Sequence, residues 1–145
     1  KVISACGGSV RGKKIAVLGL TFKPNTDDMR DAPSLAVIQA LLDGGASVSA
    51  FDPEGLEAAR ALLPGVTFGT GPYDIAADAD CLVIVTEWNE FRSLDLERLG
   101  TVMRTPVLVD LRNIYRRSEV EARGFAYESV GRPGNEGIVL VEAAE

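Results

Sequence analysis

The sequence predicts an α/β fold: a Rossmann-like, doubly wound, mainly parallel sheet with helices on both faces. Short apolar runs closed by turn residues, such as residues 14–20 and 81–85, alternate along the chain with segments whose apolar residues recur at helical spacing. A run that is apolar on successive residues is typical of a strand buried on both faces, as strands of a parallel sheet are. Strand–helix–strand units of this length indicate right-handed crossovers between parallel strands.

Six strands and five helices are predicted in alternation. The predicted strands are residues 14–20, 46–51, 66–68, 81–85, 107–109 and 125–130. The first predicted helix is capped by Asp31, has Pro33 in its first turn and ends at Gly44-Gly45. Four shorter helices are predicted at residues 56–63, 73–77, 94–102 and 119–123. Ser118 is the predicted cap of the last one. We expect one domain at residues 14–130, preceded by a tail or the end of a preceding helix at 1–13 and followed by a C-terminal tail at 131–145.

Composition narrows the classes of function. The chain has 145 residues, a formal net charge of −6, two cysteines and no histidine. The negative charge argues against a nucleic-acid or membrane-surface role, since both need clustered Lys and Arg. Without histidine a zinc site is not expected, no metal ligand is assigned, and a Ser-His or Cys-His catalytic pair is impossible within these residues. Cys81 heads an apolar run and is predicted to be a buried core thiol.

The loop after the first predicted strand is the most informative stretch of the chain. Gly19 closes that strand but is followed by Leu-Thr-Phe-Lys-Pro-Asn-Thr-Asp-Asp-Met-Arg, and not by the Gly-x-Gly-x-x-Gly turn of a dinucleotide-binding strand. Lys23 and Arg30 lie in this loop, at the carboxyl end of a strand. Ligands of open α/β sheets bind at that edge, and an ammonium or guanidinium there can neutralise a diphosphate.

Three ordered motifs carry a resemblance to a known family. They are the loop residues 19–34, the run Val-Ile-Val-Thr-Glu-Trp-Asn-Glu-Phe at residues 83–91 and the run Val-Asp-Leu-Arg-Asn-Ile-Tyr at residues 109–115. Together they resemble the C-terminal, UDP-sugar-binding domain of the UDP-glucose/GDP-mannose dehydrogenase family, over roughly residues 10–130. The residues of the first two motifs are most similar to those of the UDP-glucose 6-dehydrogenase branch.

The resemblance implies roles for four residues. Lys23 would contact the nucleotide-sugar, with Phe22 contributing through its backbone, and both are predicted to bind substrate. Arg30 would reach across a domain interface toward NAD. Arg112 would insert into the nucleotide-sugar site, in family members as a contribution from the partner subunit of a dimer. No catalytic residue is assigned within this chain, because the family's catalytic cysteine belongs to a different motif upstream of this domain.

The resemblance also implies an activity for the whole enzyme. Such enzymes oxidise the C6 alcohol of UDP-glucose to a carboxylate in two NAD-dependent steps, with NAD held mainly by an N-terminal domain of the same chain and the full-length protein a homodimer in the cytoplasm. We expect the present chain alone to bind the nucleotide-sugar but not to catalyse its oxidation. Two alternatives stay open: a GDP-mannose or UDP-N-acetylmannosamine dehydrogenase domain, or a free-standing nucleotide-binding module.

Other residues at the same edge have competing interpretations. Asp52, after the second strand, occupies the position of the acidic ribose binder of dinucleotide folds, but without the glycine turn this interpretation is weak. Trp88 could shield a base or a sugar, although packing against the following helix is the simpler role. Tyr115 and Asn113 could join the site, but a tyrosine at that spacing is at least as often a packed core edge.

Overall fold

Within the part of the chain that the structure describes, six strands form one wholly parallel sheet at the centre of the molecule. The computed structural model describes residues 7–21 and 33–129. In chain order the strands are β1 (Lys14–Leu18), β2 (Ser47–Phe51), β3 (Thr67–Phe68), β4 (Cys81–Ile84), β5 (Val107–Asp110) and β6 (Ala126–Ser129). Across the sheet the order is β3-β2-β1-β4-β5-β6, and every pairing is parallel. The predicted doubly wound α/β fold is therefore confirmed.

Helices connect the strands as the sequence predicted. They are α1 (Pro33–Asp43), α2 (Leu56–Leu62), α3 (Pro72–Ala76), α4 (Leu96–Val102) and α5 (Arg117–Glu121), with a 3-10 helix at Asn89–Ser93. Helix α1 ends where the glycine pair was predicted to end it. Gly45 has φ +92°, and the N–H groups of Gly45 and Ala46 donate to the carbonyls of Leu42 and Leu41.

Three predicted helix starts differ from the structure, and α3 differs least, since it begins at Pro72 and not at Tyr73. Helix α5 begins at Arg117, so Ser118 lies inside the helix and Arg116 takes the cap position. Helix α4 begins at Leu96, and the Asp95 carboxylate caps it by accepting from the Arg98 N–H at 3.1 Å. The predicted cap Asp31 lies outside the described residues.

Apolar side chains fill both faces of the sheet. Along β1, Ile15 and Val17 belong to one buried cluster, which also contains Ile38 and Leu41 of α1. The alternate residues, Ala16 and Leu18, belong to a second cluster on the opposite face, formed with residues of α4 and α5. Successive β1 residues therefore face opposite layers, which is why the strand is a continuous apolar run.

Two further features of the described residues bear on function. Cys81 is fully buried in the first cluster, which confirms the predicted core thiol. Within residues 7–21 and 33–129, no helix is long and apolar enough to cross a membrane, and no three His, Cys, Asp or Glu side chains are grouped to hold a metal ion.

Candidate functional site

The strand order reverses between β1 and β4, and the carboxyl ends of these two strands meet at one edge of the sheet. In doubly wound folds this switch point opens the crevice in which ligands bind. The exit loops of β1, β4 and β5 lie side by side there: the Val85 N–H donates to Leu18 O at 2.8 Å, and the Leu111 N–H to Ile84 O at 3.0 Å. We therefore describe these three loops as the candidate site.

The β1 exit is packed directly against the β4 exit at Gly19. Its φ is +93°, and a Cβ at this position would lie 2.5 Å from the backbone nitrogen of Thr86, so only glycine fits. Two hydroxyls then hold the carbonyls that follow: Thr86 Oγ1 donates to Thr21 O at 2.8 Å, and Ser34 Oγ donates to Leu20 O at 2.6 Å. The loop is fixed up to the residue before Phe22.

The Asp52 carboxylate holds the same loop from the side of β2. It is completely buried, and its Oδ2 accepts from the Leu20 N–H at 2.7 Å and from the Thr21 N–H and hydroxyl at 3.1 Å each. Its Oδ1 accepts from the N–H groups of Glu54 and Gly55 at 2.8 and 2.7 Å. Five donors saturate a carboxylate, which offers about four lone-pair sites.

This arrangement does not fit a dinucleotide. Asp52 has no lone pair and no exposed surface with which to bind a ribose hydroxyl, so the ribose-binding interpretation of this residue is wrong. The N–H groups of Leu20 and Thr21, which a pyrophosphate would need, donate to Asp52 instead. Among the described residues, the β1–β2 edge is built as a rigid support and not as an NAD cradle.

Arg112 lies at the predicted edge, two residues past the end of β5. Its guanidinium forms a two-pronged ion pair with Glu87, from the β4 exit: Nε donates to Oε1 at 3.1 Å and Nη2 to Oε2 at 3.0 Å. The side chains are 36% and 28% exposed respectively, so the pair is accessible to a ligand. Burial raises the pKa of Glu87, but the hydrogen bond and the charge of Arg112 outweigh it and hold that pKa below its usual value.

Asp110 organises the loop that presents Arg112. It is fully buried, its Oδ1 accepts from the Arg112 N–H at 3.1 Å, and its Oδ2 accepts from the Tyr115 N–H at 2.9 Å and the Tyr127 hydroxyl at 2.8 Å. Asn113 turns the chain between these contacts with φ +58°, a left-handed conformation that asparagine tolerates well. Arg112 therefore projects from a tightly held turn.

Tyr115 and Trp88 are core residues, as their simpler interpretations predicted. Tyr115 is 4% exposed; its hydroxyl donates to Phe91 O and accepts from the Leu94 N–H at 3.1 Å. Trp88 is 7% exposed and packs in the same cluster as Phe91, and its indole N–H has no acceptor among the described residues. Both polar groups are buried, so neither side chain exposes one to a ligand at the crevice.

The buried Tyr115 hydroxyl predicts a loss of stability at alkaline pH. Burial raises the pKa of Tyr115 from 10.0 to about 12. Since the hydroxyl ionises more readily in the unfolded chain, the free energy of unfolding should fall as the pH rises from about 10 to about 12, by roughly 1–2 kcal/mol after allowance for solvent screening. Urea unfolding at pH 9, 10 and 11 measures this slope. Tyr115→Phe should flatten it, and an equal slope in that variant would contradict the assignment.

The structure places some of the predicted site residues and not others. Arg112 is at the carboxyl edge as predicted; Phe22, Lys23 and Arg30 lie outside the described residues. Glu87 belongs to the motif at residues 83–91, but the sequence did not reveal its pairing with Arg112, which lies 25 positions away. The signal that could have found it is that each residue closely follows a buried strand, and those two strands are adjacent in the sheet.

An all-parallel sheet of this order is a Rossmann-like fold, and here a cation, Arg112, is held at the carboxyl edge where such folds bind ligands. Residues 16–117 match the sequence model of the UDP-glucose/GDP-mannose dehydrogenase family, UDP binding domain. The chain belongs to this family, and the family resemblance seen in its three motifs is confirmed.

Individual relatives agree with this assignment. The chain is 65% identical over 133 residues to a UDP-glucose 6-dehydrogenase of Rhizobium meliloti, covering 92% of this chain and 30% of that protein. Its fold matches a UDP-glucose dehydrogenase of Pyrobaculum islandicum with a TM-score of 0.72 and 35% identity, over 88% of this chain and 27% of that one. An NDP-N-acetyl-D-galactosaminuronic acid dehydrogenase of Methanosarcina mazei matches with a TM-score of 0.79 and 30% identity, over 92% and 27%. The chain thus spans less than a third of the length of each of these proteins.

Proposed function

We propose that this chain is the substrate-binding part of a UDP-glucose 6-dehydrogenase and that it binds UDP-glucose, or a related nucleotide-sugar, at the carboxyl edge of β1, β4 and β5. The observation that carries the proposal is the partly exposed guanidinium of Arg112, which Glu87 holds at this edge while Asp110 accepts from the backbone N–H of the same residue. Arginine presents several N–H donors in a fixed plane and suits the recognition of a polar, oxygen-rich ligand.

The loop that leaves β1 is the second part of the proposed site. Phe22 and Lys23 follow Thr21 directly in the sequence, and Thr21 is held by Asp52 and Thr86. We assign Lys23 to the diphosphate, whose charge an ammonium neutralises, and Phe22 to a backbone contact beside it. A rigid loop base favours binding because less conformational freedom is lost when the ligand arrives.

The rest of the reaction is assigned to parts of the enzyme beyond residues 14–130, which we take as the nucleotide-sugar-binding domain. In this proposal an N-terminal domain of the same chain holds NAD, Arg30 reaches toward it, and the full-length enzyme is a cytoplasmic homodimer. The residues described here bind and orient the substrate. They provide neither the nucleophile nor the hydride acceptor.

Titration of the isotope-labelled chain with UDP, UDP-glucose, GDP and NAD tests the proposal through backbone amide shifts. UDP and UDP-glucose should shift amides at Thr21–Lys23 and at Arg112, with dissociation constants on the order of millimolar, equivalent to about 4 kcal/mol. GDP and NAD should leave them in place. Binding of NAD alone would mean that the chain corresponds to the other half of the enzyme, and preferential binding of GDP would favour the GDP-mannose alternative.

A further inference from the structure

The Arg112–Glu87 pair leaves part of each group available to a ligand. Glu87 takes the Nε–H and one Nη2–H of the guanidinium, which carries five N–H donors in all. The Nη1 group and the second Nη2–H have no acceptor among the described residues. Glu87, likewise, keeps lone pairs that Arg112 does not use. The pair therefore presents donors and acceptors side by side on a partly exposed surface.

Both partners project from backbone that is fixed before any ligand arrives. Glu87 stands between Thr86 and Trp88, which are 1% and 7% exposed. Arg112 follows Asp110, which is fully buried and holds its N–H. A long arginine side chain normally loses rotamer freedom on binding, and here that freedom is restricted in advance by a two-pronged contact. The geometry is that of a positioned donor.

The charge of the pair indicates which part of a nucleotide-sugar it suits. Glu87 and Arg112 together carry no net charge, so a phosphate beside them would be attracted by the guanidinium and repelled by the carboxylate at similar distances. An uncharged oxygen or hydroxyl meets no such repulsion. It can accept from Nη1 or donate to Glu87, and ribose hydroxyls and base carbonyls offer both kinds of group.

Building on the proposed function, we propose that Glu87 is a positioning residue: it orients Arg112 and neutralises its charge, so that the pair binds the uncharged nucleoside part of the ligand and not the diphosphate. The opposite arrangement would make Glu87 a competitor that occupies the arginine until a phosphate displaces it. The two arrangements predict effects of opposite sign when the Glu87 charge is removed.

The test compares Glu87→Gln with the unsubstituted chain in titrations with UDP and with inorganic pyrophosphate, followed by amide shifts. Glu87→Gln should weaken UDP binding by about 3- to 10-fold, which corresponds to roughly 0.7–1.4 kcal/mol. It should not weaken pyrophosphate binding, whereas a general structural defect would lower both. Glu121→Gln is the matched control, since it removes the same charge from another partly exposed arginine pair and should leave UDP affinity within about twofold.

A double-mutant cycle separates positioning from an independent effect. If Glu87 acts through Arg112, the variant that combines Glu87→Gln with Arg112→Lys should bind UDP no more weakly than Arg112→Lys alone. Equal or tighter UDP binding by Glu87→Gln, additive losses in the cycle, or parallel loss of pyrophosphate binding would each overturn the inference while leaving the proposed function standing. Failure of the unsubstituted chain to bind UDP would overturn both.

Discussion

Gly19→Ala is expected to lower the free energy of unfolding by about 3 kcal/mol. Two effects add at this position: a residue with a side chain is strained at φ +93°, and the new Cβ would lie 2.5 Å from Thr86 N and 2.9 Å from Thr86 Cα. Because both contacts are to backbone, no side-chain rotation relieves them. The midpoint of urea unfolding measures the loss, provided that the slope of the transition is unchanged.

Two other glycines distinguish the effect of the left-handed φ from that of the close backbone contact. Gly124 also has a left-handed φ, +88°, but a Cβ there would meet nothing within 4 Å, so Gly124→Ala should cost only about 1 kcal/mol. Gly71 has φ −174° and open space around it, and Gly71→Ala should be close to neutral. If Gly19→Ala were no more destabilising than Gly124→Ala, the close approach of the β1 and β4 exits would not be the reason for glycine at position 19.

Asp52→Ala is expected to cost about 3–5 kcal/mol, the largest effect of any single change proposed here. The substitution leaves the buried N–H groups of Leu20, Thr21 and Gly55, in the loops that follow β1 and β2, without an acceptor. Each unsatisfied buried donor costs about 1–3 kcal/mol before relaxation or entry of water. Asp52→Asn keeps the size and one acceptor oxygen and should cost less. Thermal and urea unfolding of the two variants measure this order.

An exposed carboxylate supplies the comparison. Asp43 lies at the end of α1, where it accepts a hydrogen bond from Gln39, and Asp43→Ala should change stability by no more than about 0.5 kcal/mol. The structure also predicts that the Asp52→Asn variant, like the unsubstituted chain, does not bind NAD. A gain of stability in Asp52→Ala would mean that the buried carboxylate is retained for a ligand and not for the loop.

The general architecture could be predicted from sequence because its signals are local. An apolar run such as that of β4 can be recognised within a few residues, and so can the glycine pair after α1. Such signals indicate the strands, the end of the helix and the alternation of strands with helices. The placement of Arg112 at the carboxyl edge also follows, because it comes directly after a strand. Where a local preference competed with tertiary contacts, it failed: Ser118 is a good cap, but α5 begins two residues earlier than predicted, with Arg117 donating to Tyr127 O of β6 at 3.0 Å.

The sequence by itself determined the fold class, the family and the edge of the sheet at which a ligand is expected. Only the tertiary structure decided what the polar residues of that edge do, since their partners are distant in the chain: Asp52 holds backbone 31 and 32 residues away, and Glu87 holds Arg112 across 25. A carboxylate after a strand has the same appearance in a sequence whether it binds a ligand or a loop. The difference lies in how many donors the folded chain brings within hydrogen-bonding distance of it.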